Sequence, residues 1–153
     1  KLEQMTPAEI PPSYEEHYSG FFAEFDGRRI ETLAQAFTNP QLPVNCFLIH
    51  LHGAVTRVPA TATPFPIRRE GIAIDAAAYW KPPHGQPAAV QWVESLKSKM
   101  PADQDGDYVN VMDRVSESEV RRAYGGNYAR LQHLKAKYDP ENQFSLNQNI
   151  RPA

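Results

Sequence analysis

YVNVMDRVSESEVRRAYGGNYARLQHLKAKYDPENQFSLNQNIR, from Tyr108 to Arg151, is the stretch that decides how the chain is read. Ser116 and Glu119 stand in S-x-x-E spacing, a capping box that starts a helix near Glu117. Tyr124, Tyr128, Leu131, Leu134 and Tyr138 recur every three or four residues and form one apolar helical stripe. Asp139-Pro140 ends that helix, because a residue before proline is pushed out of the α region. A polar, amide-rich extension follows, with Asn142, Gln143, Asn147, Gln148 and Asn149. Its apolar anchors Phe144, Leu146 and Ile150 predict chain that lies against another surface.

The run Tyr124-Gly125-Gly126-Asn127-Tyr128-x-Arg130-Leu131-x-x-Leu134-Lys135-x-Lys137-Tyr138-Asp139-Pro140-x-Asn142-x-Phe144-x-x-Asn147-Gln148-Asn149-Ile150 resembles the C-terminal signature of berberine-bridge-enzyme-like oxidases. These are FAD-linked members of the vanillyl-alcohol-oxidase superfamily. Upstream, Tyr108-Val109-Asn110 resembles the family's Tyr-x-Asn segment. His52-Gly53-Ala54-Val55-x-Arg57-Val58-Pro59, Thr63-Pro64-Phe65-Pro66-x-Arg68 and a strand ending at Trp80 fit in order. The resemblance covers roughly residues 40 to 151 and departs at His52, where many relatives have glycine, and at Ile67, where they have histidine.

The resemblance implies an α+β fold: an antiparallel sheet with flanking helices, part of a substrate domain. A C-terminal helix and extended tail would return to an FAD domain. On this reading residues 1–112 are the C-terminal part of the substrate-binding domain and 113–153 the berberine-bridge-type segment. Such enzymes are much longer than this chain, which begins at Lys1, so the expectation is a C-terminal piece, inactive alone. Its expected partner is the N-terminal FAD-binding part, which would hold most of the flavin. Some members tether flavin covalently through a His and a Cys upstream of this region, so Cys46 is not that ligand.

Composition sets outer bounds. A chain of 153 residues can bury one core, with 41% hydrophobic residues and 14 prolines. Net charge is −2 and the isoelectric point about 6.2, with no Lys/Arg run, which speaks against nucleic acid or an anionic membrane surface as partner. No apolar stretch approaches the ~20 residues of a membrane span. The single cysteine, Cys46, excludes an internal disulfide. It leans toward a cytoplasmic setting and leaves a secreted one open. No G-x-G-x-x-G, P-loop, H-E-x-x-H, C-x-x-C or G-x-S-x-G occurs, so zinc, phosphate-loop, thiol and serine-hydrolase chemistry lack support.

Taken in order, residues 1 to 13 read as connector, and the aromatic-rich Tyr14–Phe25 as a segment packed on a sheet or an aromatic pocket wall. Asp26 caps a helix with Ile30, Leu33, Ala34 and Phe37 on its buried face, stopped at Asn39-Pro40. Val44 to His52 is a strand with Cys46, Leu48, His50 and His52 on one face and Phe47, Ile49 and Leu51 on the other. His50 and His52 are either hydrogen-bonded structural residues or pocket-lining, substrate-binding ones; a metal would need a third ligand, and none is apparent. Glu70 to Trp80 is a second strand, with Ala73, Asp75, Ala77 and Tyr79 opposite its apolar face. Gln86 to Met100 is a helix with Pro87 in its first turn and a stripe of Val90, Val93, Leu96 and Met100. Tyr108 to Met112 is expected as a short strand with Tyr108 and Asn110 on one side.

Asp75 is the most informative residue outside the tail, because a carboxylate among alanines must be paired, solvated or protonated. It is either a solvent-face acid or part of the chemistry. The resemblance points it at the substrate and pairs it with Tyr108 as the base. A free phenol titrates near pH ~10, so the two would act as a unit. Tyr108 is otherwise a structural tyrosine. Asn110, Asn147 and Gln148, with Tyr108, are candidate flavin contacts, since amides suit a ring edge of mixed donors and acceptors. The implied reaction oxidises a small alcohol, sugar or amine by hydride transfer to flavin, with oxygen as reoxidant. The alternative is a cofactor-free binding or assembly module that kept the scaffold.

Overall fold

The computed structural model describes residues 14–100, 105–112, 116–146 and 148–153. The connector expected over residues 1 to 13 lies outside them. Three strands are organised around the alanine-rich one, β3 (Gly71–Trp80), which is central; β1 (Tyr14–Phe22) and β2 (Val44–Leu51) flank it, both antiparallel. β1 pairs from Tyr14↔Trp80 to Phe22↔Ile72, and β2 from Val44↔Ala78 to Leu51↔Gly71. The aromatic segment Tyr14–Phe25 is thus mainly a strand of the sheet itself. Gly71 is required where β3 enters: a Cβ there would lie 2.5 Å from both the Phe21 ring and the Phe22 carbonyl.

Period-two alternation gives β3 two different faces. On one, Ile74, Ala76 and Ala78 are buried beneath α1 (Gly27–Ala36) and α2 (Gln86–Lys99). The small side chains of Ala76 and Ala78 let Tyr18, Phe22, Leu33, Ala89, Val93, Leu96 and Met100 close over them and Ile74 as one core. Fully burying side chains such as Phe22, Ile74 or Leu96 contributes ~1.5–3 kcal/mol each. Pro87 sits in the first turn of α2, and the left-handed Gly85 (φ 105°) precedes it.

α1 starts where expected, with the Asp26 carboxylate accepting from the Arg29 N–H at 3.1 Å. Its buried face is rotated from the expected one. Arg29 and Leu33 point inward, and Ile30 is exposed. The cause is the Arg29 guanidinium, which lies 4.8 Å from the Phe22 ring centre and pairs with Asp26 at 3.1 Å.

The C-terminal helix begins at the expected capping box of Ser116 and Glu119 and stops at Asp139. It is not continuous. A 3-10 turn at Gly125–Asn127 divides it into α3 (Glu117–Tyr124) and α4 (Tyr128–Tyr138). Gly125, at φ 51° and ψ −133°, takes a backbone conformation that favours glycine and ends α3. The apolar stripe is correspondingly uneven. Tyr128 is buried and Tyr124 half-buried, whereas Tyr138, Phe144 and Leu146 are exposed at 73%, 82% and 87%. Ile150 is half-buried. Among the described residues no helix is long and apolar enough to cross a membrane.

Candidate functional site

The second face of the sheet carries Ser19 and Phe21 from β1, Ala73 and Asp75 from β3, and Phe47 and Ile49 from β2. Among the described residues no helix of the core covers this face, and Phe47 on it is 58% exposed. Two later segments arch over part of it. The loop from Thr63 to Ile67 follows β2, and residues 105–112 follow α2. Together they enclose a cleft of about 580 Å³, within the range of small-molecule sites. Its floor is Phe21, Ile49, Leu51 and Ala73; its walls are Phe65, Ile67, Tyr108, Val109, Asn110 and Tyr124.

The segment bearing Tyr108 is fixed at several points. Phe21 N–H donates to the Gly106 carbonyl at 2.8 Å, and Asp105 N–H to the Phe21 carbonyl at 2.7 Å. Tyr108 N–H then donates to Ser19 Oγ at 3.1 Å. That side-chain acceptor takes the backbone donor out of the sheet ladder, so residues 108–112 are not the expected strand but a 3-10 turn, Val109–Val111. The expected partnership of Tyr108 and Asn110 forms by another route. Asn110 Nδ2 donates to the Tyr108 hydroxyl at 2.8 Å, and the Phe65 ring meets the Tyr108 ring edge-on at 6.0 Å. With its oxygen accepting from Asn110, the phenol keeps its own hydrogen for a group in the cleft.

Behind Tyr108, the Asp107 carboxylate is buried and bonded to Arg122 Nε of α3 at 2.7 Å. Burial pushes this acid up, against the opposing pull of the Arg122 charge. Burial likewise raises the Tyr124 phenol. Asn127, inside the turn between α3 and α4, donates its amide to the carbonyls of Ala60 at 2.8 Å and Thr63 at 3.1 Å. It anchors the cleft's loop wall. Sequence reasoning placed Asn127 in a family pattern but gave it no task; its position after Gly125-Gly126, where a helix gives way, was the available signal.

Asp75 stands on the cleft side of the sheet. Its cross-strand neighbours are Ser19 and Phe47. Paired residues point to the same face, so Asp75 and the Ser19 hydroxyl that holds Tyr108 share a side. Asp75 and Tyr108 are thus on one face, joined through Ser19, and no hydrogen bond links them directly. Tyr108, expected in a short strand, lies in front of a 3-10 turn instead. Asp75 Oδ1 instead accepts from His17 Nδ1 at 2.8 Å. His17 went unremarked in the sequence reading. Its signal was the alternation Glu15, His17, Ser19, hidden by the aromatic residues around it.

His50 is not brought to Asp75. It pairs with Ile72 and faces the helix side of the sheet, opposite Asp75. There its Nε2 meets Glu70 Oε1 at 3.2 Å. The expected grouping of His50 with Asp75 fails because strand parity in β2 puts Phe47, Ile49 and Leu51 toward the cleft. His52, at the start of the 3-10 turn Gly53–Arg57, sets its ring 4.7 Å from that of His50, tilted by 38°, and does not line the cleft. Gln148 donates its amide to the Met112 carbonyl, a contact within the chain. Asn147 lies outside the described residues. Cys46 is half-buried, and burial, with the Asp75 charge, pushes its thiol up to about 11, which makes it a poor nucleophile. Among the described residues no cluster of His, Cys, Asp and Glu is placed to hold a metal.

The family model "Berberine and berberine like" matches residues 107–151, starting ahead of the boundary expected at 113. An uncharacterised FAD-linked oxidoreductase of Bacillus subtilis, YvdP, is 38% identical over 109 residues, which is 71% of this chain and 24% of that protein. A carbohydrate oxidase of Microdochium nivale is 41% identical over 63 residues, 40% of this chain and 13% of the relative. The crystal structure of a glycopeptide hexose oxidase complexed with teicoplanin superposes with a TM-score of 0.79 at 25% identity, over 92% of this chain and 33% of that one. The chain therefore spans about a quarter to a third of the length of these relatives. Residues 107–151 carry the berberine and berberine-like segment, and over most of its length the chain is similar to the C-terminal part of berberine-bridge-enzyme-like, FAD-linked oxidoreductases.

Proposed function

We propose that the protein oxidises a small hydroxyl-bearing substrate, a sugar or related alcohol, at the cleft under Tyr108. The observation that carries this is the Tyr108 hydroxyl held by Asn110 at an apolar cleft of about 580 Å³, with Asp75 on the same sheet face. Sugar substrates are favoured over amines because relatives include a carbohydrate oxidase and a glucooligosaccharide oxidase, by their names.

The residues present suit one end of the cofactor only. An apolar floor, two ring walls and a phenol–amide pair fit a planar heteroaromatic ring whose edge mixes donors and acceptors. The described residues around the cleft include no glycine-rich loop of the kind that cradles phosphates. The remainder of an FAD molecule would be held by an N-terminal FAD-binding part of the same protein. The exposed Tyr138, Phe144 and Leu146 give that part an apolar surface to cover. Residues 107–112 reach the cleft while the tail faces outward, which supports a functional division close to residue 113. Asn110 is the amide placed to meet the ring edge; Gln148 braces Met112 instead.

FAD bound here would supply a hydride acceptor for a substrate carbon, with oxygen as the reoxidant. The chain's own residues do the rest. The apolar floor excludes water from the reacting carbon. The Tyr108 hydroxyl, fixed by Asn110, orients the substrate hydroxyl and takes its proton as the carbon gives up hydride, passing its own phenolic hydrogen on toward the Asp75 carboxylate on the same sheet face.

Oxygen uptake and peroxide release by the full-length protein, over a panel of aldoses, oligosaccharides, simple alcohols and amines, test the proposal. Turnover of sugars or alcohols is expected. A protein that takes up no FAD is the cofactor-free module instead.

A further inference from the structure

We infer that His17 is a positioning residue for Asp75, working as the middle member of a Glu15–His17–Asp75 chain laid across the cleft side of the sheet. The inference rests on the proposed role of Asp75 and adds to it a residue that the reading of the sequence did not contain.

The geometry is set by strand register. His17 lies opposite Ala77, so Asp75 is its diagonal neighbour on the next strand, within reach of a long side chain. Ala77 fills little of the space between them, and His17 Nδ1 closes on Asp75 Oδ1 at 2.8 Å. On its other edge His17 Nε2 stands 3.2 Å from Glu15 Oε2. The His17 and Asp75 side chains are mostly buried, at 17% and 19% exposure, while Glu15 reaches solvent at 46%. An ionised carboxylate accepts hydrogen bonds and cannot donate them. Two such groups facing the two ring nitrogens call for a proton on each nitrogen.

Holding Oδ1 fixes the carboxylate rotamer on the cleft side of the sheet and leaves Oδ2 outside that bond. Ser19, between His17 and Phe21 on the same face, ties the Tyr108 backbone to this strand at 3.1 Å. β1 therefore sets the position of both proposed proton acceptors.

The test uses the full-length protein, with flavin absorbance and melting temperature confirming that each variant is folded and loaded. His17→Ala is expected to lower kcat ~10–100-fold with KM changed less than about threefold, the scale for loss of a hydrogen-bonded supporting partner. His17→Gln, which keeps a donor, should recover part of the loss. In an Asp75→Asn background, His17→Ala should cost less than about twofold more, because the group it positions is already altered. A second measurement does not depend on turnover. The imidazole nitrogen NMR signals of His17 should show both nitrogens protonated near neutral pH and should shift in Asp75→Asn. Unchanged kcat in loaded His17→Ala, an equal loss in both backgrounds, or nitrogen signals indifferent to Asp75→Asn would each overturn the inference. A wild-type protein that oxidises nothing while the nitrogen signals behave as expected overturns the oxidase reading and leaves the side-chain coupling standing.

Discussion

Arg122→Met tests how the cleft is held together. The substitution keeps the aliphatic stem and removes the charge that meets the Asp107 carboxylate at 2.7 Å. Asp107 is buried at 3% side-chain exposure, whereas Arg122 is 47% exposed. Stripping one partner from a fully buried pair costs ~3–5 kcal/mol. The half-exposed arginine is screened by solvent, and water can reach the vacated side, so the expected cost is roughly 1–3 kcal/mol. At about 2–4 °C per kcal/mol for a domain of this size, the melting temperature should fall by roughly 2–12 °C. The effect should be pH-dependent, with a sign that can be worked out. Burial already raises the Asp107 acid in the folded state, so its protonated form is favoured there and its stabilising contribution is lost as pH rises from the acidic range. Removing Arg122 raises it further. The variant should therefore be closest to wild type at acidic pH and most impaired at neutral pH. Adding Asp107→Asn removes the stranded charge and should restore part of the loss. Thermal melts from pH 4 to 8 on the two single variants and the double variant measure all of this. Equal stability of Arg122→Met and wild type at pH 7, or a double variant less stable than Arg122→Met, would refute the reasoning.

Other outcomes follow from the same geometry. Leu96→Ala, at a fully buried core position between α2 and β3, should cost ~2–5 kcal/mol by denaturant titration without moving the cleft residues. Gly71→Ala should also destabilise, because its new methyl meets the Phe22 backbone carbonyl, which cannot swing aside as a side-chain end could. Glu119 is pushed up by burial, but hydrogen bonds from Lys97 and Ser116 outweigh this and hold it down to about 2. Its stabilising effect is thus present above about pH 4.5 and lost as pH falls toward 2, and Glu119→Gln should flatten that part of the stability profile.

Much of the fold was legible because local rules govern it. The capping box at Ser116, the proline stop after Asp139, the Asp26 cap and the alternation in β3 each depend on a few neighbouring residues. What was missed depends on contacts far apart in sequence. Ile30 gave its inward position to Arg29 because the Phe22 ring waits beneath the guanidinium. Tyr108 left the sheet because Ser19 captured its N–H. The site shows the same pattern. Tyr108, Asn110 and Asp75 were recognisable from motif spacing, and the structure sets them on one side of the sheet. His17 was not, because its significance comes from a diagonal register with Asp75 across 58 residues of sequence. His50 was misassigned for the converse reason: strand parity is visible in sequence, but which parity faces the cleft is fixed only by pairing with β3.

The most direct test of the account follows the flavin in Tyr108→Phe. The full-length variant, loaded with FAD, is mixed with a sugar that the wild type oxidises, in the absence of oxygen, and bleaching of the flavin bands is timed. Loss of one positioned acid–base group should slow bleaching ~10²–10⁴-fold while leaving the bound flavin spectrum in place. Bleaching at the wild-type rate would contradict the assignment of the proton-accepting phenol to Tyr108. A wild-type protein whose flavin no sugar or alcohol bleaches would contradict the oxidase account itself.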